Sequence, residues 1–129
     1  MVDSTIQKLL EQTIDTSCKL HLLLLFHDNP QLKTTSRQLA ERSCRDIWSV
    51  EQALQELVES EVLSTDTGVD DTLYYRYTPS AEKLEAIRKL VLGYDDPFQR
   101  DWIQSSVREL ELYAYYNRNY NLQQPVYVY

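Results

Sequence analysis

The chain has 129 residues, 43% of them hydrophobic and 26% charged, and its 13 basic and 20 acidic side chains leave a net charge of −7. That length supports one packed core rather than two, and an acidic balance works against non-specific binding to polyanions. Two glycines and four prolines are few breakpoints, so long helices are favoured over turn-rich structure.

Met1 to Leu10 hold one lysine and no sustained apolar stretch, and the longest apolar run, Leu22 to Phe26, is far too short to span a bilayer. The expectation is a cytoplasmic protein with no membrane segment. Cys18 and Cys44 lack metal-ligand spacing and are expected as reduced thiols.

In chain order, Asp3-Ser4 precede Ile6, Leu9, Leu10 and Ile14, the spacing of a short amphipathic helix with a capping residue at its start. A second helix begins near Thr16-Ser17 and runs through Leu20 and Leu22 to Phe26. It is apolar nearly all round, which predicts a central, buried position, and Asp28-Asn29-Pro30 ends it. A hydroxyl residue in Thr34-Thr35-Ser36 opens the next helix, whose small apolar face is Leu39 and Ala40. After the tight connection Ser43-Cys44-Arg45, Asp46 is placed to cap a third long helix. Its stripe is Ile47, Val50, Ala53, Leu54, Leu57 and Val58, with Glu51, Gln52, Gln55, Glu56 and Glu59 opposite.

Past Glu61 the period changes to that of strands: Val62 to Thr65, a turn-rich loop over Asp66 to Asp71, and a return strand from Leu73 to Thr78, closed by Pro79. Ser80 can cap a helix bearing Leu84, Ile87, Leu90 and Val91, which Gly93 is expected to close. Asp96-Pro97 then open a last helix carrying Phe98, Trp102, Ile103, Val107, Leu110 and Ala114. Beyond about Tyr116 the chain, rich in Tyr, Asn and Gln, reads as irregular. Tyr113 and Tyr116 are expected either to pack on the core or to serve an interface, and Val126 to Tyr129 is strand-like enough to pair with a sheet edge.

These elements predict a single, mainly α domain with a small β-hairpin: a winged helix-turn-helix core over 16–79, flanking helices over 1–15 and 80–117, and a Tyr-rich tail over 118–129. The flanking helices carry apolar stripes outside the compact core, which points to homodimerisation through the first and last helices.

The stretch Thr35-Ser36-Arg37-Gln38-Leu39-Ala40-Glu41, followed by Val50 to Leu63, resembles the second and third helices of bacterial winged-helix regulators of the MarR and PadR type. Tyr75-Arg76-Tyr77-Thr78-Pro79, with Leu84, Leu90 and Tyr94, is similar to small bacterial winged-helix proteins of largely unassigned role. The resemblance covers half to two-thirds of the chain. It implies a homodimeric DNA-binding transcriptional regulator whose third helix enters the major groove while the wing touches backbone or minor groove.

On that reading the contacts to DNA, or to a protein partner, come from Lys33, Thr35, Ser36, Arg37, Arg45, Trp48, Ser49, Gln52, Gln55 and Arg76. Gln52 and Gln55 have the amides that read adenine, and the cations suit phosphates. The charge departs from the family pattern. MarR-type wing tips usually carry arginine, whereas this one carries Asp66, Asp70 and Asp71; from Thr34 to Pro79 four basic residues face nine acidic ones. Protein–DNA affinity typically uses roughly six to ten phosphate contacts, and the four cations Lys33, Arg37, Arg45 and Arg76 reach that range only in a dimer. A winged helix used as a protein-interaction adaptor, its acidic wing facing a basic surface, is therefore the alternative.

Trp48 falls in the first turn of the third helix, either packing on the second helix or anchoring a partner. His21 and His27 lie six apart and share no face with Cys18, so buried or capping histidines are expected rather than metal ligands. Asp15, Asp28, Asp95 and Asp96 sit at helix ends, where capping explains them. The sequence has no phosphate loop, nucleophile elbow or metal-binding helix motif, and neither enzyme activity nor a cofactor is expected.

Overall fold

The computed structural model describes residues 4–43 and 45–127, with the backbone alone over 115–127. The elements in order are α1 (Ser4–Gln12), α2 (Ser17–Asp28), β1 (Lys33–Thr34), α3 (Ser36–Ser43), α4 (Ile47–Glu59), β2 (Leu63–Thr67), β3 (Leu73–Tyr77), α5 (Ala81–Tyr94) and α6 (Pro97–Tyr127).

Caps set the helix starts. Thr16 accepts the Lys19 amide at 3.1 Å, Asp46 the Ser49 amide at 2.9 Å, and Ser80 the Lys83 amide at 3.3 Å. Each satisfies a donor that the first helical turn leaves without an internal partner. The end of α4 is a Schellman motif: Glu61 N–H donates to Val58 and Val62 N–H to Leu57, both through a left-handed residue, Glu61, at φ 64°. This turn aims the chain directly into β2.

The apolar stripes converge on one core. Phe26, Leu22 and Leu23 of α2 are fully enclosed together with Leu54 and Leu57 of α4, Leu39 of α3, Ile87 and Leu90 of α5, and Ile103 of α6. Burial of such side chains contributes on the order of 1.5–3 kcal/mol each. At the other end α1 packs on α5 and α6 through Ile6, Leu9 and Leu10.

Several expectations are corrected. The hairpin is part of a three-stranded antiparallel sheet of order β1-β3-β2, because Lys33–Thr34 pairs with Arg76 and Tyr75. Two residues are too few to carry a period-2 signal, and only the pairing makes them a strand. The hairpin register runs from Leu63 with Tyr77 to Thr67 with Leu73, so the first strand begins and ends later than the sequence suggested while the return strand ends one residue earlier.

Gly93 lies inside α5 and is buried, and Asp95 caps the helix. A Cβ at residue 93 would stand 2.7 Å from the Gln99 amide oxygen, the end of a flexible side chain that can turn aside. The largest difference is α6, which runs unbroken to Tyr127 where irregular chain was expected. Extending an existing helix adds one hydrogen bond for each residue with an N–H and needs no new nucleus, and Asn and Tyr cost only about 0.7 kcal/mol or less relative to Ala; Pro125, inside this stretch, adds no such bond. Val126 and Tyr127 are therefore helical, and Val128 and Tyr129 lie outside the described residues. Asp3, Cys44 and the Tyr116 side chain also lie outside them.

Phe98 and Tyr113 do not join the core; they are 87% and 68% exposed. No helix among the described residues is long and apolar enough to cross a membrane.

Candidate nucleic-acid interface

The outward face of α4 follows from its stripe. With Val50, Ala53, Leu54 and Leu57 buried, helical geometry turns Trp48, Ser49, Glu51, Gln52 and Gln55 to solvent. Trp48, Gln52 and Gln55 stand at i, i+4 and i+7, one row along that face. Trp48 is 77% exposed, so packing against α2 is excluded as its role. Ser49 is tied to the cap, its hydroxyl donating to Asp46 at 2.8 Å. The Ser49 amide and then its hydroxyl hold the Asp46 carboxyl below the usual carboxylate range.

Glu56 belongs less to the exposed face than its helical position suggests. Its carboxylate pairs with Lys19, which is 5% exposed and also donates to Asp15 at 2.8 Å. Burial pushes the Lys19 ammonium down, but the hydrogen bonds from Asp15 and Glu56 outweigh it, and the net displacement is upward. Gln52 donates to the other Glu56 oxygen at 3.1 Å. The sequence signal was available: a lone lysine in an otherwise apolar helix needs a carboxylate if it is buried. Which carboxylate answers it could not be read from spacing.

At the start of α3, Thr35 accepts the Gln38 amide at 3.2 Å, and Ser36 donates to Glu51 of α4 at 3.4 Å. These two hydroxyls are thus partly occupied in shaping the helix-turn-helix. Arg37 is exposed on α3.

In the sheet, Lys33 and Arg76 face each other across β1 and β3. Directly paired residues share a face, and both side chains are exposed while the alternate pair, Thr34 and Tyr75, is buried. Lys33 is engaged: it ion-pairs with Asp66 at 3.1 Å and lies 5.1 Å from the Tyr74 ring centre. The wing tip is drawn tight by Gly68 N–H to Thr72 at 2.8 Å and Thr72 N–H to the Asp70 carboxylate at 3.3 Å. The Thr72 side chain and then its amide, both hydrogen-bonded to the carboxylate, hold Asp70 below the usual carboxylate range. One of the three wing aspartates is therefore neutralised by Lys33, and Lys33 is correspondingly less available to phosphate.

Arg45 is half-buried and directed to α2, where it donates to His21 Nδ1 at 2.7 Å. His21 is exposed, contrary to the expectation of a buried or capping histidine. His27 is half-buried, its Nδ1 3.1 Å from the Tyr77 hydroxyl. Tyr77 is pushed up to about 12 by burial, so the phenol stays protonated there.

The predicted residues thus fall into three groups. Trp48, Ser49, Gln52 and Gln55 form one exposed row with Arg37 and Ser36 beside it; Lys33 and Arg76 form a cationic pair on the sheet; Arg45 stands apart, facing α2. Among the described residues no group of three His, Cys, Asp or Glu side chains is placed to hold a metal.

No family model and no curated protein sequence matches this chain. A solved structure does: the adhesin competence repressor from Streptococcus pyogenes, at 19% identity and a TM-score of 0.52, with 92% of this chain and 88% of that one covered. At that identity the likeness speaks to the fold, and the chain is accordingly a mainly helical winged helix-turn-helix with a small antiparallel sheet.

Proposed function

We propose that this chain is a DNA-binding transcriptional regulator that acts as a homodimer, with α4 as its reading helix. The observation that carries this reading is the exposed row Trp48, Ser49, Gln52 and Gln55 on the second helix of the helix-turn-helix, with Glu56 held back by Lys19. Glutamine amides suit the adenine edge, and Arg37 and Arg76 are exposed to meet phosphates. The structural likeness to a protein named as a repressor supports the same reading. For the dimer, support comes from a groove of about 380 Å³ between α1 and α6, lined in part by Leu10, Trp102, Leu110 and Tyr113, with Leu112 exposed on the same helix.

The test is a fluorescence-anisotropy titration with mixed genomic fragments at low salt. Binding is expected at micromolar protein, falling with salt. Two to four phosphate contacts per protomer give a dimer a log–log slope between about −4 and −7. No binding at tens of micromolar protein refutes the reading. A specific observation favours the adaptor reading as second: Trp48 is a 77%-exposed aromatic on a face that also carries Glu51 and Glu59. If DNA fails while Trp48→Ala abolishes capture of a basic protein partner, that second reading replaces the first.

A further inference from the structure

α4 and the sheet enclose a groove of about 410 Å³, bordered by Glu51, Gln55 and Val58 of α4 and by Thr65, Leu73 and Tyr75 of the hairpin. Thr65 pairs with Tyr75, and Thr67 with Leu73, so these four side chains share the sheet face that borders the groove. Its floor is apolar: Tyr75 is buried, Val58 half-buried and Leu73 44% exposed. The sheet order β1-β3-β2 makes β2 the outermost strand among the described residues. The Thr78 amide donates to Val62 and Gly68 N–H donates to Thr72, so the even-numbered residues of β2 face β3. Leu63, Thr65 and Thr67 therefore turn their N–H and C=O groups to the outer side, and Thr65 and Thr67 are exposed. Edge strands are ordinarily blunted by a lysine, a proline or a bulge. Leu63–Thr67 contains neither residue, and its one-to-one register has no bulge.

The charge around this edge is of one sign. From Ile47 to Tyr75 the chain carries seven acidic side chains and no basic one. Lys19 and Lys33, from other elements, answer Glu56 and Asp66. That leaves Glu51, Glu59, Glu61, Asp70 and Asp71, exposed and in no ion pair among the described residues. Burial and then the Glu51 charge push the Tyr75 phenol up, so this field reaches the groove floor. A polyanion, or the same edge of a second copy, would meet like charge here. We propose that the outer edge of β2 takes up an extended segment of a partner protein as an added strand, its alternate apolar side chains in the groove and its lysine or arginine flanks facing Glu51 and the neighbouring carboxylates. In such strand addition main-chain hydrogen bonds supply affinity, and pockets for alternate side chains supply specificity. Gln55 borders the groove and belongs to the exposed row, so a seated segment covers part of the face proposed to meet DNA. The proposal rests on the adaptor reading only in making this side of α4 a protein-docking surface. Trp48, on which the test of that reading turns, does not border the groove, so the two fail separately.

The test uses the full chain and contains no DNA. The chain is titrated calorimetrically with a blocked peptide of alternating valine and threonine that carries paired lysines at each end. The controls are the same peptide with glutamates for the lysines, and the lysine peptide N-methylated on its valines. A valine opposite Thr65 shares its face and turns its N–H to β2, so methylation there removes the strand-to-strand bonds. Nitrogen-resolved NMR follows the Thr65 and Thr67 amides. Expected are saturable binding of the lysine peptide with both amides displaced, no binding of the glutamate peptide, and a loss of about tenfold or more on N-methylation. Thr65→Pro removes an outward N–H and no ladder bond, so it should fold and bind the lysine peptide about tenfold or more weakly. If that variant does not fold, the N-methylated peptide makes the same comparison on the parent chain. Equal binding of the lysine and glutamate peptides overturns the assigned partner chemistry. An N-methylated peptide bound as tightly as its parent overturns strand addition, as does undiminished binding by folded Thr65→Pro. Binding that leaves the Thr65 and Thr67 amides unmoved, or silence of the lysine peptide up to millimolar concentration, overturns the site itself.

Discussion

Lys19→Met removes a charge that ties α2 to α4. Lys19 is 5% exposed, and its ammonium bridges Asp15 and Glu56. Methionine retains most of the stem and its apolar contacts, so the perturbation is nearly confined to the charge. Removing one partner of a fully buried pair costs about 3–5 kcal/mol. Here the orphaned carboxylates are 37% and 38% exposed, and water resolvates them. The expected loss therefore falls to about 1–2 kcal/mol, or roughly 3–10 °C in Tm for a domain of this size.

Urea unfolding followed by far-UV circular dichroism measures this loss, and a double-mutant cycle with Glu56→Gln isolates the pair. A coupling on the order of 0.5–2 kcal/mol is expected. The pH dependence adds a sign. Because folding raises the affinity of Lys19 for its proton, its stabilisation is complete below the unfolded lysine value, about 10.4, and is lost as pH rises through the folded one. Lys19→Met should therefore differ from the parent near neutral pH and approach it as pH rises through the raised lysine value of the folded chain. A variant as stable as the parent, or no coupling to Glu56, would show that the bridge does not hold α4 in place.

Other outcomes follow from the same geometry. Glu61→Gly should stabilise the chain by about 0.5–1 kcal/mol in urea unfolding, since a left-handed position strains any residue with a Cβ; a destabilised variant would mean that the Glu61 side chain has a role its turn does not explain. Arg37→Ala with Arg76→Ala should lower the magnitude of the salt slope of DNA binding by about 3–4 in a dimer, at about 0.9 per phosphate contact; an unchanged slope places the phosphate contacts elsewhere. Trp48→Ala should leave Tm within about 2 °C, because an exposed side chain adds little to the core, yet it should weaken whichever macromolecule docks on α4. Tyr77→Phe should reduce the loss of stability between about pH 10 and 12, since the buried phenol holds its proton up to about 12 and the unfolded one releases it earlier; the unfolding midpoint recorded across that range checks it. Leu112→Asp with Tyr113→Asp should yield monomers in sedimentation velocity if α6 forms the dimer. Deleting α1 is the poorer test, because Ile6, Leu9 and Leu10 are part of the core.

Local rules acting within a few residues were legible in the chain. Asp46 and Ser80 cap where the sequence placed them, the stripe from Val50 to Leu57 faces inward, and Pro97 opens the last helix. Caps and stripes depend on neighbours at i+3 and i+4, which a sequence displays directly. The exposure of Ser49, Gln52 and Gln55 followed from the stripe alone. The exposure of Trp48 did not, because a tryptophan in a first turn can fold back or point away according to what lies opposite.

What only the tertiary structure decided is which distant groups meet. Lys33–Thr34 became a strand because β3 offered its free edge. Lys19 found Glu56 across thirty-seven positions of sequence, and Arg45 turned to His21 rather than toward the exposed face of α4. The groove of Glu51, Thr65 and Leu73 joins three separate stretches of chain. Charge counted along the sequence described an acidic reading head; charge distributed in space pairs Glu56 with Lys19 and Asp66 with Lys33. Electrostatic interaction depends on distance and dielectric, and neither is a property of sequence order.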